Sequence, residues 1–160
     1  MKAHAIYGGS FDPIHRGHVD IIRRGAELFG TVLVAVGCNP RKQYLFDLET
    51  RLGLVRSEVG NVPGVSVDTF DGLLVEKARA AGCRVTLRGL RAQSDFAYEY
   101  QMAVANAGLA PGLETVCLLA APGHAFISST LVREIGRFGG DVSPYVSPEV
   151  ARRLAERAPS

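Results

Sequence analysis

Short apolar runs rich in β-branched residues alternate along this 160-residue chain with longer stretches whose apolar residues recur every three or four positions. The first pattern fits strands buried in a sheet, and the second fits amphipathic helices. The strands expected are His4–Tyr7, Val32–Gly37, Val65–Asp68, Val85–Arg88 and Thr115–Leu119. Val19, Ile22, Ala26 and Phe29 share one helical face, and Gly30 supplies the stop. Asp47 is placed to cap a helix running to about Val59, and Asp71 to cap another through Ala81 that ends at Gly82. Phe96, Tyr100, Ala103 and Ala107 form an apolar stripe before Gly108. Ser147-Pro148-Glu149 opens a last helix with a cap, a first-turn proline and an acid. Five strands alternating with helices predict an α/β fold, a doubly wound five-stranded parallel sheet with a C-terminal helix, in one domain over residues 1–160.

Sheets of that kind bind ligands at the carboxyl ends of their strands. The segments that follow four of the five strands are all polar or glycine-rich. They are Gly8-Gly9-Ser10, Asn39-Pro40-Arg41-Lys42, Arg88-Gly89-Leu90-Arg91, and the stretch from Pro122-Gly123-His124 to Ser128-Ser129-Thr130. One composite site on one sheet edge is the economical reading. At its centre, Tyr7-Gly8-Gly9-Ser10-Phe11-Asp12-Pro13-Ile14-His15-Arg16-Gly17-His18 reads as a strand that breaks at glycines and restarts as a helix. Such a junction leaves backbone N–H groups beside a positive helix end, which suits an anion and, with two histidines beside it, a phosphorylated ligand.

Composition narrows the class without naming the ligand. The chain is 47% hydrophobic and 21% charged, which is ordinary for a globular protein. A net charge of +2 gives no reason to expect nucleic acid or a membrane surface as partner. Of the 18 basic residues only Lys2, Lys42 and Lys77 are lysines, so each invites scrutiny. Cys38, Cys83 and Cys117 form no CxxC pair and read as small core residues in a reducing cytoplasm. No signal peptide and no apolar run of about 18 residues is present.

Each candidate residue has a structural reading beside its chemical one. His18 can cap the first helix or donate to a phosphate across its N-terminus, and its glycine-rich neighbours favour the donor role. His15 can share that role or hold the loop in shape, whereas Asp12-Pro13 reads as a turn cap and stiffener. Lys42 is either a solvated lysine or a phosphate contact. Arg88 and Arg91 suit a phosphate clamp because a guanidinium offers a planar fork of donors, the alternative being salt bridges to Asp95 and Glu99. Ser128, Ser129 and Thr130 can cap a helix or present hydroxyls and N–H groups to a polyphosphate. A Ser-His-Asp set, an HExxH metal motif, an ordinary P-loop and a GxGxxG loop are missing. Donors without a general base suit a nucleophile that arrives ionised, as a phosphate monoester does. One phosphate attacking another's phosphorus then needs positioning and charge neutralisation more than proton removal.

His15-x-Gly17-His18 after Gly8-Gly9-Ser10, with Ile127-Ser128-Ser129-Thr130 downstream, resembles the HxGH nucleotidyltransferase superfamily and its Rossmann-like fold. Within it the whole chain is similar to the bacterial phosphopantetheine adenylyltransferases. Asn39-Pro40-x-Lys42, Leu87-Arg88-Gly89-Leu90-Arg91, Asp95-Phe96-x-Tyr98-Glu99 and Gly140-Asp141-Val142 carry that likeness. The resemblance implies transfer of the adenylyl group of ATP to 4'-phosphopantetheine, with Mg2+ held mainly by the ATP phosphates. It implies catalytic roles for His18, Lys42, Arg91 and Ser129. ATP would meet Ser10, Phe11, His18, Gly89, Leu90, Arg91, Glu99, His124, Ala125, Phe126, Ile127, Ser128, Ser129 and Thr130. The pantetheine side would meet Ser10, Lys42, Leu74 and Arg88. A homohexamer and coenzyme A as a product-like inhibitor are implied as well. Gly8, Ser10, His15, Arg16 and Thr130 depart from the family's usual residues and are closer to nicotinate mononucleotide adenylyltransferases, one alternative reading, the other being a nucleotide-binding module without turnover.

Overall fold

A central strand of Ala5-Ile6-Tyr7, buried on both faces, organises the computed structural model, which describes residues 4–157. Lys2 lies outside them. The chain runs β1 (Ala5–Gly9), α1 (Arg16–Phe29), β2 (Val32–Cys38), α2 (Leu48–Val59), β3 (Val65–Asp71), α3 (Leu74–Ala80) and β4 (Val85–Leu90). It continues through α4 (Gln93–Leu109), β5 (Glu114–Leu119), a 3-10 turn at Pro122–His124, α5 (Ser129–Arg137) and α6 (Pro148–Ala155). All strands are parallel in the order β3-β2-β1-β4-β5, which is the doubly wound sheet expected. Ile22 and Ala26 of α1, Leu54 and Val55 of α2, Val132 of α5 and Val150 of α6 pack one apolar core with Val32, Val34 and Val36 of the sheet. Val75 and Ala78 of α3 pack a smaller core with Ile6, Leu33 and Ala35, which face the other way along the same strands.

The switch in strand order falls between β1 and β4. These two strands pair only through Ala5–Val85 and Ile6–Thr86, whereas β1 stays paired with β2 along its whole length, from Ala5–Val32 to Gly9–Val36. Beyond Ile6 the gap between β1 and β4 opens toward the carboxyl edge, the crevice where such sheets hold ligands. Helix caps act as the sequence indicates: Asp47 accepts from the Thr50 N–H, Ser147 accepts from the Val150 N–H, and Gly30 turns the end of α1 at φ 75°.

Four local expectations are corrected. Gly8 and Gly9 do not break the first strand; they belong to it and pair with Ala35 and Val36. Asp71 does not cap a helix: it ends β3 opposite Cys38, and α3 begins only at Leu74, after Gly72 turns the chain at φ 72°. Gly108 does not stop α4, which runs on to Leu109 and closes where the Ala110 N–H reaches the Asn106 carbonyl. Cys117 is exposed rather than a core residue, because β5 is an edge strand; Cys83 is buried, and Cys38 is intermediate.

Candidate active site

A cavity of about 500 Å³ opens at the carboxyl ends of β1 and β4 and extends to the start of α5. Its floor depends on a glycine. A Cβ at Gly9 would stand 3.2 Å from the Phe11 ring, so Gly9 lets that ring fold back beneath the strand end. Phe11 takes a left-handed backbone conformation at φ 47°, which costs a bulky residue about 1–3 kcal/mol. That conformation sets the Phe11 ring edge-on to His18, with centroids 4.9 Å apart, and edge-on to Tyr7 at 5.7 Å.

His15 and His18 cap α1 reciprocally. His15 Nδ1 accepts from the His18 N–H at 3.3 Å, and His18 Nδ1 accepts from the His15 N–H at 3.2 Å. Their rings stack with centroids 3.6 Å apart. An Nδ1 that accepts cannot carry the proton, so each neutral ring carries it on Nε2. Burial, the neighbouring His15 and then Arg91 and Arg88 hold His18 well below the usual histidine range. Burial, Arg91 and His124 push His15 down to about 3. His18 therefore presents the cavity with a neutral Nε2–H donor and no available base. The structural reading of His18 holds, since it caps α1, and the same capping bond fixes the tautomer that leaves its Nε2–H a donor.

The helix end supplies fewer donors than a bare junction would. The Arg16 N–H is spent on the Tyr145 carbonyl and the His18 N–H on His15, which leaves the Gly17 N–H for a ligand among the described residues. Cationic donors compensate. Arg88 grips Glu99 through Nε and Nη2, both at 2.7 Å, and its Nη1 donates to the Gly8 carbonyl at 2.9 Å. That bond spans the gap where β1 and β4 part. Arg91 pairs with Asp95 and donates to the Ile127 carbonyl at 3.0 Å. The salt bridges to Glu99 and Asp95, the alternative set against a clamp, are both formed. Burial raises the Tyr7 phenol to about 12, keeping it a protonated wall group near Gly89.

At the far wall Ser128 Oγ caps α5 by accepting from the Leu131 N–H, and Ser129 Oγ donates to the Pro13 carbonyl at 2.9 Å. Thr130 Oγ1 accepts from Arg133. The hydroxyls are engaged, while the Ser129 and Thr130 N–H groups, in the first turn of α5, have no intrahelical acceptor. His124 Nδ1 is the one buried side-chain polar atom without a partner among the described residues, as befits a group facing a ligand cavity. Beside the lining residues Gly9 and Phe11, Lys42 Nζ donates to Ser10 Oγ at 3.0 Å.

Residues 6–135 match the model of the cytidylyltransferase-like family. A phosphopantetheine adenylyltransferase of Caldanaerobacter subterraneus subsp. tengcongensis is 48% identical over 153 residues, 96% of each chain. One from Thermosynechococcus vestitus is 51% identical over 150 residues, covering 94% of this chain and 89% of the relative. The chain belongs to the phosphopantetheine adenylyltransferase family. Among solved structures, a Plasmodium falciparum nicotinic acid mononucleotide adenylyltransferase complexed with NaAD superposes with a TM-score of 0.70, covering 98% of this chain and 96% of that one. At 15% identity it shares the fold alone.

The cavity takes in some of the candidate site residues and leaves others outside its lining. Phe11, His18, Gly89, Arg91, Glu99, His124, Ser128, Ser129 and Thr130 line it, as does Arg88. Ser10 and Lys42, bonded to each other, are not lining residues, although Ser10 sits between the lining residues Gly9 and Phe11; Leu74 packs over Gly8, where a Cβ would meet its methyl group at 2.5 Å. Leu90 ends β4, and Ala125 and Phe126 lead into α5. Phe126 is exposed and edge-on to Tyr145. Ile127 is buried in the core and offers the site only its backbone. Asp12 is structural as expected, but it caps a remote segment: its carboxylate accepts from the Leu45 N–H at 2.7 Å and the Phe46 N–H at 3.0 Å. Ile21, Ser94 and Ala120 also line the cavity without any signal in the sequence, and Tyr7 and Tyr98 line it as members of quoted motifs that were given no role of their own. Tyr7 was legible in principle, being the last apolar residue before the glycines.

Proposed function

We propose that the protein transfers the adenylyl group of ATP to 4'-phosphopantetheine, forming dephospho-coenzyme A and pyrophosphate. The observation that carries this reading is the neutral, tautomer-locked His18 in one cavity with Arg88 and Arg91. A phosphate oxygen of the acceptor attacks the α-phosphorus, and the bond from that phosphorus to the bridging oxygen of pyrophosphate breaks. No proton needs removing from an ionised phosphate, so His18 Nε2–H is free to bond the α-phosphate oxygens as their charge grows. Arg91, His124 and the Ser129 and Thr130 N–H groups hold the ATP side. Lys42, Ser10, Arg88 and Leu74 serve the acceptor side. Glu99 acts through Arg88, which it orients.

Among the described residues no cluster of three or more histidines, cysteines or acids could cage an ion. The Mg2+ that the resemblance implies is proposed to arrive on the ATP phosphates, where it supplies charge neutralisation. Coenzyme A, close in shape to the product, is proposed to compete for the same cavity. Among the described residues no helix is long and apolar enough to cross a membrane. Three free cysteines are consistent with work in the reducing cytoplasm. The homohexamer is proposed to form through the exposed apolar face of α4.

Incubating the purified protein with ATP, Mg2+ and 4'-phosphopantetheine should yield dephospho-coenzyme A and an equal amount of pyrophosphate. Turnover of nicotinate mononucleotide, with none of phosphopantetheine, would overturn the assignment.

A further inference from the structure

Arg51 lies in the first turn of α2, yet among the described residues it has the largest fully buried side chain, 1% exposed. Its guanidinium is held by backbone carbonyls and, among the described residues, by no carboxylate salt bridge. Nε donates to the Phe46 carbonyl at 3.1 Å, and Nη1 donates to the Ser10 carbonyl at 2.7 Å and the Gly37 carbonyl at 2.8 Å. The Tyr44 ring lies over it, 3.9 Å from the guanidinium carbon. A lone buried cation is an expensive way to fill a core, which an apolar side chain would fill more cheaply.

What the cation joins is the acceptor rim. Ser10 directly follows β1 and precedes the strained Phe11, so its carbonyl is a point at which the turn can be held. Gly37 lies at the end of β2. Tyr44 Oη accepts from the Asn39 N–H at 3.1 Å, and the Asn39 carbonyl accepts from the Lys42 N–H at 3.0 Å. Both partners of the Ser10–Lys42 bond therefore hang from Arg51: Ser10 by its own carbonyl, and Lys42 through Tyr44 and Asn39. A guanidinium reaches carbonyls in three directions from one plane, which an ammonium on a flexible stem cannot reproduce.

We propose that Arg51 is a positioning residue that fixes the Ser10–Lys42 pair in register with His18, touching neither substrate itself. Its cationic charge, not cancelled by a carboxylate, also adds to the positive field met by an incoming polyanion. The inference rests on the reading that this rim receives the acceptor phosphate.

The test uses R51Q, R51K and Y44F in the full chain. With wild-type turnover of phosphopantetheine established, R51Q should lower kcat/KM for phosphopantetheine by roughly 10- to 100-fold, as a misplaced contact does. KM for ATP should stay within about twofold. R51K keeps the charge but loses the fork and should remain impaired. Y44F keeps the ring and removes only the Asn39 link, so it should raise KM for phosphopantetheine about two- to fivefold with an unchanged melt. Competitive acetylation provides a readout independent of turnover. Lys42 should label several-fold faster relative to Lys77 in R51Q than in wild type, since Lys77 is tied elsewhere, to Asp68. Should R51Q fail to fold, Y44F carries both measurements. Equal losses toward both substrates, or an unchanged labelling ratio, would overturn the positioning role. Absence of wild-type turnover beside a raised labelling ratio would instead overturn the functional reading and leave the Arg51 network standing.

Discussion

At the scale of single residues, His18 has one nitrogen committed to structure and the other free for the chemistry proposed above. Its Nδ1 closes the α1 cap, and its ring is wedged between the stacked His15 ring and the Phe11 edge. A donor so fixed needs no reorganisation as charge develops on the α-phosphate, and removing one such donor costs about 10²–10³ in rate, or roughly 3–4 kcal/mol. His18→Ala should lower kcat by that order while KM for ATP changes far less. Losing one side-chain cap bond should cost about 1 kcal/mol of stability, small enough to keep the chain folded. Steady-state kinetics beside a thermal melt checks this. Near-normal kcat in a folded variant would reduce His18 to a cap.

Helices and strands carry a second consequence of the same pair. Each Nδ1 accepts a backbone N–H, so neither ring can be protonated there without losing its cap bond. The folded state keeps both neutral, His15 down to about pH 3, while the unfolded chain binds protons from about pH 6.5. Stability is therefore complete above about pH 6.5 and falls as pH drops through the window toward 3, by about 1.4 kcal/mol per pH unit for His15, with His18 acting in the same direction. Urea denaturation at a series of pH values should show this slope. His15→Asn, which can cap but cannot titrate, should flatten it. An unaltered slope in that variant would place the acid sensitivity elsewhere. The caps at Asp47 and Ser147 were legible because they depend on local hydrogen bonds a few residues away. Strand ends were less so: β3 and β4 run on through Thr69-Phe70-Asp71 and Gly89-Leu90, where pairing with neighbours overrides a local pattern that is not strand-like. The Arg51 hub was illegible, since its partners are carbonyls, which every residue carries.

Across the whole molecule, the sheet topology brought together the loops that the sequence placed on one edge, which is why His18, Arg88, Arg91 and Ser129 line a single cavity. The apolar stripe on α4 went the other way. Phe96, Tyr100 and Val104 follow one another at helical spacing, yet Tyr100 is 61% and Val104 58% exposed, and only Glu99 of this 17-residue helix is buried. Tyr98, Met102 and Leu109 add to the exposed apolar surface, and Phe96 stacks on Tyr100 at 6.0 Å between ring centroids. A helix normally hides such a stripe, and a contiguous exposed patch of this kind marks a protein interface. Copies of this chain are its proposed occupant, in keeping with the hexamer the family resemblance implies and with the closed symmetry usual for homo-oligomers. Placing charge on the stripe by Tyr100→Glu together with Val104→Glu should break the assembly without unfolding the protomer, because neither side chain belongs to its core. Sedimentation velocity should then show a hexamer for the wild type and smaller species for the double variant, with a protomer circular dichroism spectrum retained. Because Glu99 projects from this same helix to hold Arg88, dissociation should also weaken turnover as α4 loses its support. A wild-type protein that is monomeric and fully active at micromolar concentration would leave the stripe without this role.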